Sequence, residues 1–199
     1  MMSKLPPSFT IIYLGFRIIA VFWTTALASS PTQPSFFSLQ QNTKKMDSVI
    51  AGLGAAAGFA ALHVANDYVL KGMGLGCLCP PLGAVAVLLF CLPGAPASQP
   101  KAVIGAHVIA GVIGYAVLQS GVAAYGEAIA VSLTIAAMSA TKMVHPPAGA
   151  YAFLYVNKGM GLKGILAPGL AGAVILVATQ QVFNATLLPL LSGGKKKKS

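Results

Sequence analysis

One phrase, used twice, constrains this chain more than any other feature. Cys79-Pro80-Pro81-Leu82-Gly83-Ala84-Val85-Ala86-Val87-Leu88 is echoed by His145-Pro146-Pro147-Ala148-Gly149-Ala150-Tyr151-Ala152-Phe153-Leu154, and both read Pro-Pro-x-Gly-Ala-x-Ala-x-Leu. Each copy lies between long apolar segments, and the apolar run after each proline pair is short for a bilayer crossing. Hydrophobic segments broken by Pro or Gly at matching places in two halves point to the binding site of a transporter. The reason is local. Proline is tolerated in the first turn of a helix, where its missing N–H would be unpaired anyway. The N–H groups that follow give the helix start a partial positive charge that attracts anions. A tight turn with close packing is the plainer explanation of one copy, and repetition weakens it.

Composition sets the solvent. Of 199 residues 56% are hydrophobic and 8% charged, with a mean hydropathy of +0.79, whereas a soluble domain carries roughly a quarter charged residues. The expected fold is an all-α integral membrane protein with four to six transmembrane helices, arranged as two helix–(Pro-Pro-x-Gly-Ala segment)–helix repeats. Its richness in Gly and Ala suits helices that pack closely in lipid. Thirteen Lys and Arg against three Asp and Glu give a net charge of +10. The basic residues are scattered singly apart from Lys44-Lys45 and residues 195–198. That spacing fits topology signals, the headgroups of a lipid bilayer and a small anionic substrate; it does not fit nucleic acid. Cys77, Cys79 and Cys91 form neither a zinc pattern nor a disulfide framework, and read as small packing residues. Three acids and three histidines make no recognisable catalytic constellation, so no enzyme, cofactor or metal is expected.

The ends carry address signals. Residues 1–28 form a signal-peptide-like segment: Lys4, an apolar run interrupted by Arg17, then Ala26-Leu27-Ala28 before Ser29, an Ala-x-Ala cleavage pattern. Residues 29–48 read as a transit-like or disordered linker, rich in Ser, Thr, Pro and Gln and free of acids as far as Lys45. Together they predict a mature chain that begins after Ala28 or close to Met46, in a plastid envelope membrane. The basic tail, residues 192–199, places lysines third and fourth from its end. This resembles a dilysine retrieval signal, and makes the endoplasmic reticulum membrane the alternative.

Between these ends lies the transmembrane domain, residues 49–191. Helices are expected over 49–70, 102–119, 126–142 and 165–191, with the Pro-Pro segments ending near 93 and 157. His63, Asn66 and Asp67 share one face of the first helix. His63 and Asp67 read as an interfacial pair, with a proton path as the rival, and Glu127 as an interfacial carboxylate at a helix start. Length and charge disagree on whether the Pro-Pro segments cross. Residues 148–156 make only about 14 Å of helix, a re-entrant half-span, and length is preferred here. Four crossings put Lys44, Lys45 and Lys195 to Lys198 on one side, against Lys71, Lys101, Lys142, Lys158 and Lys163 on the other. Six crossings move Lys101 and Lys142 to the first side, the split that the positive-inside rule favours. Two-crossing halves would be parallel repeats; three-crossing halves would be inverted.

At Thr141-Lys142-Met143-Val144-His145-Pro146-Pro147-Ala148-Gly149-Ala150 the chain resembles the HPP family of integral membrane proteins, named for His-Pro-Pro. Three more stretches fit the family's pattern and order: residues 81–90, Pro96-Ala97-Ser98-Gln99-Pro100-Lys101, and Val103-Ile104-Gly105-Ala106-His107. Lys101 stands where Arg is commoner, and Ala106 where a second Gly is usual. The resemblance covers roughly 49–191. It implies transport of a small inorganic anion, nitrite in first place, in plants across the chloroplast envelope.

The expected substrate-binding residues are His145, Pro146, Pro147, Gly149, Ala150, Lys142, His107 and Gln99. His145 sits where a capping residue would, facing the N–H groups of the half-helix that follows. Lys142 lies one turn earlier, with snorkelling as its plainer role. His107 holds the family's Gly-x-His position, where an interhelical hydrogen bond competes with function. Gln99, with Lys101, more simply caps a helix. A passive or proton-linked carrier or channel for a monovalent anion leads. The rival is a non-transporting membrane subunit or assembly factor, its small-residue faces serving packing. A homo-oligomer stays open.

Overall fold

The structure, a computed structural model, describes residues 48–122 and 124–191. The expectations for residues 1–47 and for the tail from 192 lie outside the described residues. The described chain forms six α-helices and no strand: α1 (Ser48–Ala65), α2 (Pro81–Cys91), α3 (Pro100–Gln119), α4 (Gly126–Thr141), α5 (Pro146–Asn157) and α6 (Gly169–Leu191). α1 runs on through a π turn, Asn66–Leu70, and a 3-10 turn, Lys71–Met73, to Gly74 in the left-handed region (φ 66°). α6 starts later than expected because Pro168 separates it from a 3-10 turn, Leu162–Ile165. Proline opens α2, α3 and α5, where its fixed φ suits the first turn.

Three segments are long and apolar enough to span a bilayer alone: Ser48–Met73, Pro100–Gln119 and Leu162–Leu190. α2 and α5 have 11 and 12 residues, about 16 and 18 Å of helix, half a bilayer core. Each is too short to span alone, as the length argument has it. Gly105 faces Met143, Gly114 the Tyr155 ring, and Gly126 both Val117 and Val156. α5 therefore runs with α3, and α4 against both. On the other side Gly172 faces Leu82, Gln180 Nε2 donates to the Leu89 carbonyl, Gly58 faces Leu176, and Gly54 faces Phe90 and Phe183. α6 thus runs with α2 and against α1.

Two contacts join these groups and fix their relative sense. His145, ahead of α5, meets Ala97, which follows α2. Gly111, midway along α3, meets Ile165, ahead of α6. α2 and α5 are consequently antiparallel, as are α3 and α6. The chain reverses direction at every connection between helices. A Cβ on Gly74 would lie 3.5 Å from Lys163 Nζ, so Lys71 and Lys163 share one end, while Lys101 and Lys142 lie towards the other. For these four lysines that is the distribution that six crossings imply, and the two repeats run in opposite senses.

The packed helix pairs are α1–α2, α1–α6, α2–α6, α3–α4, α3–α5, α4–α5, α2–α5 and α3–α6. Exchanging α1 with α4, α2 with α5 and α3 with α6 returns the same set. The molecule therefore has a pseudo-twofold relation between halves, with the half-helices paired across its axis and the third helices exchanged. Two cores result. One is large-residue, built on Leu62, Leu82, Leu89, Phe90, Leu176 and Phe183. The other is built on Ala106, Ala110, Ala130, Ala148 and Ala152 around Tyr151 and Tyr155. Val108, Val112, Leu133, Ile135, Phe153, Val182 and Leu187 stay exposed, the side chains a lipid phase would cover.

Candidate functional site

The antiparallel half-helices pack against each other, with the residue ahead of α5 against the segment that follows α2. Cys79, ahead of α2, packs against both cores; its counterpart His145, ahead of α5, is fully buried. The lead-in to α2 is held by α1. The π turn buries Asn66, whose Oδ1 accepts the Cys77 N–H at 3.2 Å, while Cys77 Sγ donates to the Leu62 carbonyl at 3.3 Å. The lead-in to α5 is short, and His145 itself ties it across the molecule.

The expected free N–H groups are absent from these helix starts. Pro146 and Pro147 have none, and Ala148 N–H donates to the His145 carbonyl at 3.0 Å. At α2, Leu82 N–H donates to Cys79 O and Gly83 N–H to Pro80 O, each at 3.1 Å. The same prolines that start the helices remove or engage the donors an anion would use. Nor does the His145 side chain cap α5. Its Nδ1 lies 2.7 Å from the Ala97 carbonyl oxygen. A carbonyl only accepts, so Nδ1 is the donor.

His107 repeats the arrangement on α3. Its Nδ1 lies 2.8 Å from the Val103 carbonyl, one turn back. The two imidazole rings stand 5.3 Å apart at 50°, and Tyr151 packs on His107 at 5.8 Å. The Tyr151 hydroxyl donates to the Gly164 carbonyl and its ring covers Gly169, which fixes the start of α6 against α5. Three buried side-chain atoms have no hydrogen-bond partner among the described residues: His107 Nε2, His145 Nε2 and Thr134 Oγ1. Each unpaired buried polar atom costs about 1–3 kcal/mol, so three in one bundle call for a ligand or water. Gly149, though buried, has nothing within 4 Å of where a Cβ would stand, and the same holds at Gly83, its counterpart. Open space thus flanks both half-helix starts.

The site residues expected from sequence divide. His107, His145, Pro147 and Gly149 are buried together, whereas Pro146, Ala150 and Lys142 are exposed. Gln99 donates from the surface to the Pro93 and Ala95 carbonyls, both at 3.3 Å, and holds the turn before α3. Asp67 pairs with Lys71 at 2.6 Å rather than with His63, and Glu127 meets Asn157 at the surface. Tyr151 and Thr134 were missed. Their one signal is that Ala130, Thr134 and Met138 make a buried stripe at four-residue spacing, as Pro147, Tyr151 and Tyr155 do on α5.

The transmembrane-region model of the HPP family matches residues 40–189. The chain belongs to the HPP family. It is also similar to two transmembrane proteins of Dictyostelium discoideum. One is 34% identical over 110 residues, 51% of this chain and 39% of the relative; the other is 33% identical over 113 residues, 51% and 35%. The HPP chain thus spans well under half the length of these relatives. No solved structure matches it. In this HPP protein the residues that give the family its name are the ones that start the second half-helix, with the histidine turned away from capping and towards a second histidine.

Proposed function

We propose that this HPP protein carries a small monovalent anion, nitrite in first place, across a plastid envelope membrane. The observation behind this reading is the pair of buried, unpartnered Nε2 atoms of His107 and His145 at the start of α5, where a Cβ on buried Gly149 would meet nothing within 4 Å. Removing an anion from water costs several kcal/mol. The dipole of a helix start returns up to about 2 kcal/mol, and each hydrogen bond to a charged group about 1.5–3 kcal/mol. With the helix-start N–H groups engaged, the histidines must supply most of the compensation. The resulting binding is weak, which suits a protein that has to release what it holds.

The test is uptake by purified protein in liposomes, comparing nitrite, nitrate, chloride and formate side by side. Nitrite should enter faster than into protein-free liposomes, and faster than chloride. Uptake indistinguishable from protein-free liposomes for all four would favour a non-transporting subunit. The compartment is tested with a fluorescent tag inserted after residue 48, leaving both ends free, since the transit-like linker and the dilysine-like tail give rival addresses.

A further inference from the structure

We propose that the anion occupies this site only together with a proton, so that the protein moves the two in the same direction, one for one. The proposal rests on the transport reading above and adds its coupling. Both Nδ1 atoms face carbonyl oxygens, so both carry hydrogen. A neutral imidazole has a single N–H, which leaves each Nε2 a bare lone pair. Two lone pairs, fully buried and without partners, repel an anion.

Other donors do not compensate. The Tyr151 hydroxyl is engaged by the Gly164 carbonyl, and the first available N–H groups of α2 and α5 are engaged by the residues ahead of them. Thr134 keeps one neutral hydroxyl without a partner. Antiparallel to α3, with Gly105 level with Met143 and Val117 level with Gly126, α4 places it about one turn beyond His107. A proton on one Nε2 turns a repelling lone pair into an N–H donor and supplies the charge that the anion neutralises. With rings 5.3 Å apart, a second proton would set two cations side by side in a low-dielectric site, so the pair takes one.

The balance is simple. A proton from one side adds to an Nε2 lone pair and the anion binds the new N–H. On the other side the anion leaves, Nε2 gives up the same proton, and no net charge has crossed. The titratable groups around the pair are few. Tyr151 faces it from α5, and Cys79, ahead of α2, is a thiol packed against the same core. α6 carries no charged residue; α4 has only Glu127, at its far start. Lys101 and Lys142 are exposed.

The experiment uses the full chain in liposomes holding a pH-sensitive dye, at neutral pH, with a potassium gradient and valinomycin to impose a potential. A nitrite gradient should acidify the lumen by one proton per nitrite, above the protein-free baseline, and the imposed potential should change the rate less than twofold. Nitrite uptake driven by the potential without acidification would overturn the coupling and leave the transport reading standing. No protein-dependent uptake would overturn both. His145→Gln, whose amide offers a donor without needing a proton, should transport more slowly, lose the acidification and become potential-driven. Stoichiometric acidification retained in both His145→Gln and His107→Gln would also overturn it. A readout apart from transport is nitrogen NMR of the three histidines, simplified by His63→Gln. Without anion both buried rings should be Nδ1–H tautomers, and nitrite should doubly protonate one. An Nε2–H tautomer in both rings would sink the proposal.

Discussion

The two halves share an architecture and fill it differently. Around α2 the helices α1 and α6 meet through Leu and Phe side chains, down to a 6.0 Å edge-on contact between Phe90 and Phe183. Around α5 the helices α3 and α4 meet through alanines, and the room is used for His107, His145 and Thr134. Among the described residues, all three unpartnered buried side-chain atoms lie on the second side. The first half-helix is held by apolar packing and by Asn66; the second is held by the histidine that also faces the site. A duplicated frame with one polar copy teaches that the frame packs the two half-helices against each other, while the chemistry sits at the start of one of them.

The largest expected effect breaks that asymmetry at its centre. His145→Ala removes both the tie to Ala97 and the polar Nε2, and nitrite uptake should fall about 10- to 100-fold, the equivalent of 1.5–3 kcal/mol of charge-assisted bonding. Size-exclusion chromatography and circular dichroism of the purified variant check that it remains folded. Unchanged uptake in a folded His145→Ala protein would place the anion elsewhere.

Filling the open space comes next. A side chain at Gly149 meets nothing within 4 Å at its Cβ, so Gly149→Val should fold and still obstruct the site, reducing uptake by roughly tenfold, on the scale of one lost charged hydrogen bond. Gly83→Val, on the half-buried counterpart, should obstruct less. Equal loss in both would mean that the two copies line one shared path.

A stability measurement sharpens the contrast further. A Cβ at Gly172 would stand 2.8 Å from the Cys77 carbonyl oxygen as well as against Leu82. Backbone cannot yield as a side chain end can, so Gly172→Ala should cost about 1–3 kcal/mol, read as a lower melting temperature in detergent. At Gly169 the neighbour is the Tyr151 ring. There Gly169→Ala combined with Tyr151→Leu should recover part of the loss, whereas no side-chain change should rescue Gly172→Ala.

Much of this was legible before any coordinates. Prolines at 80–81 and 146–147 start helices where sequence placed them, Pro100 starts one two residues earlier than expected, and the apolar runs end close to the observed helix ends. The described lysines agree with the alternating direction of the helices, because charge reports the ends of a passage and length only its helical part. The exchange of α3 and α6 was not legible. These helices are apolar on nearly all faces, so no stripe says which neighbour each one meets. The tie from His145 to Ala97 spans 48 residues and depends on that exchange. The engaged N–H groups could have been foreseen, since a second proline removes the donor that the first leaves behind.

The smallest effect belongs to Cys79, the counterpart of His145. Its thiol is a weak donor, and it serves mainly as a half-buried surface touching both cores. Cys79→Ala deletes one sulfur atom and no strong hydrogen bond, so uptake should change less than about threefold, with stability lowered by about 1 kcal/mol or less for a small cavity. Both proteins should be assayed in one liposome preparation against nitrite, so that the ratio of the two losses is read directly. A Cys79→Ala defect as deep as that of His145→Ala would erase the distinction between a framing half and a chemical half. The Pro-Pro segments would then act as equal packing turns around an anion path lined by something other than the histidine pair.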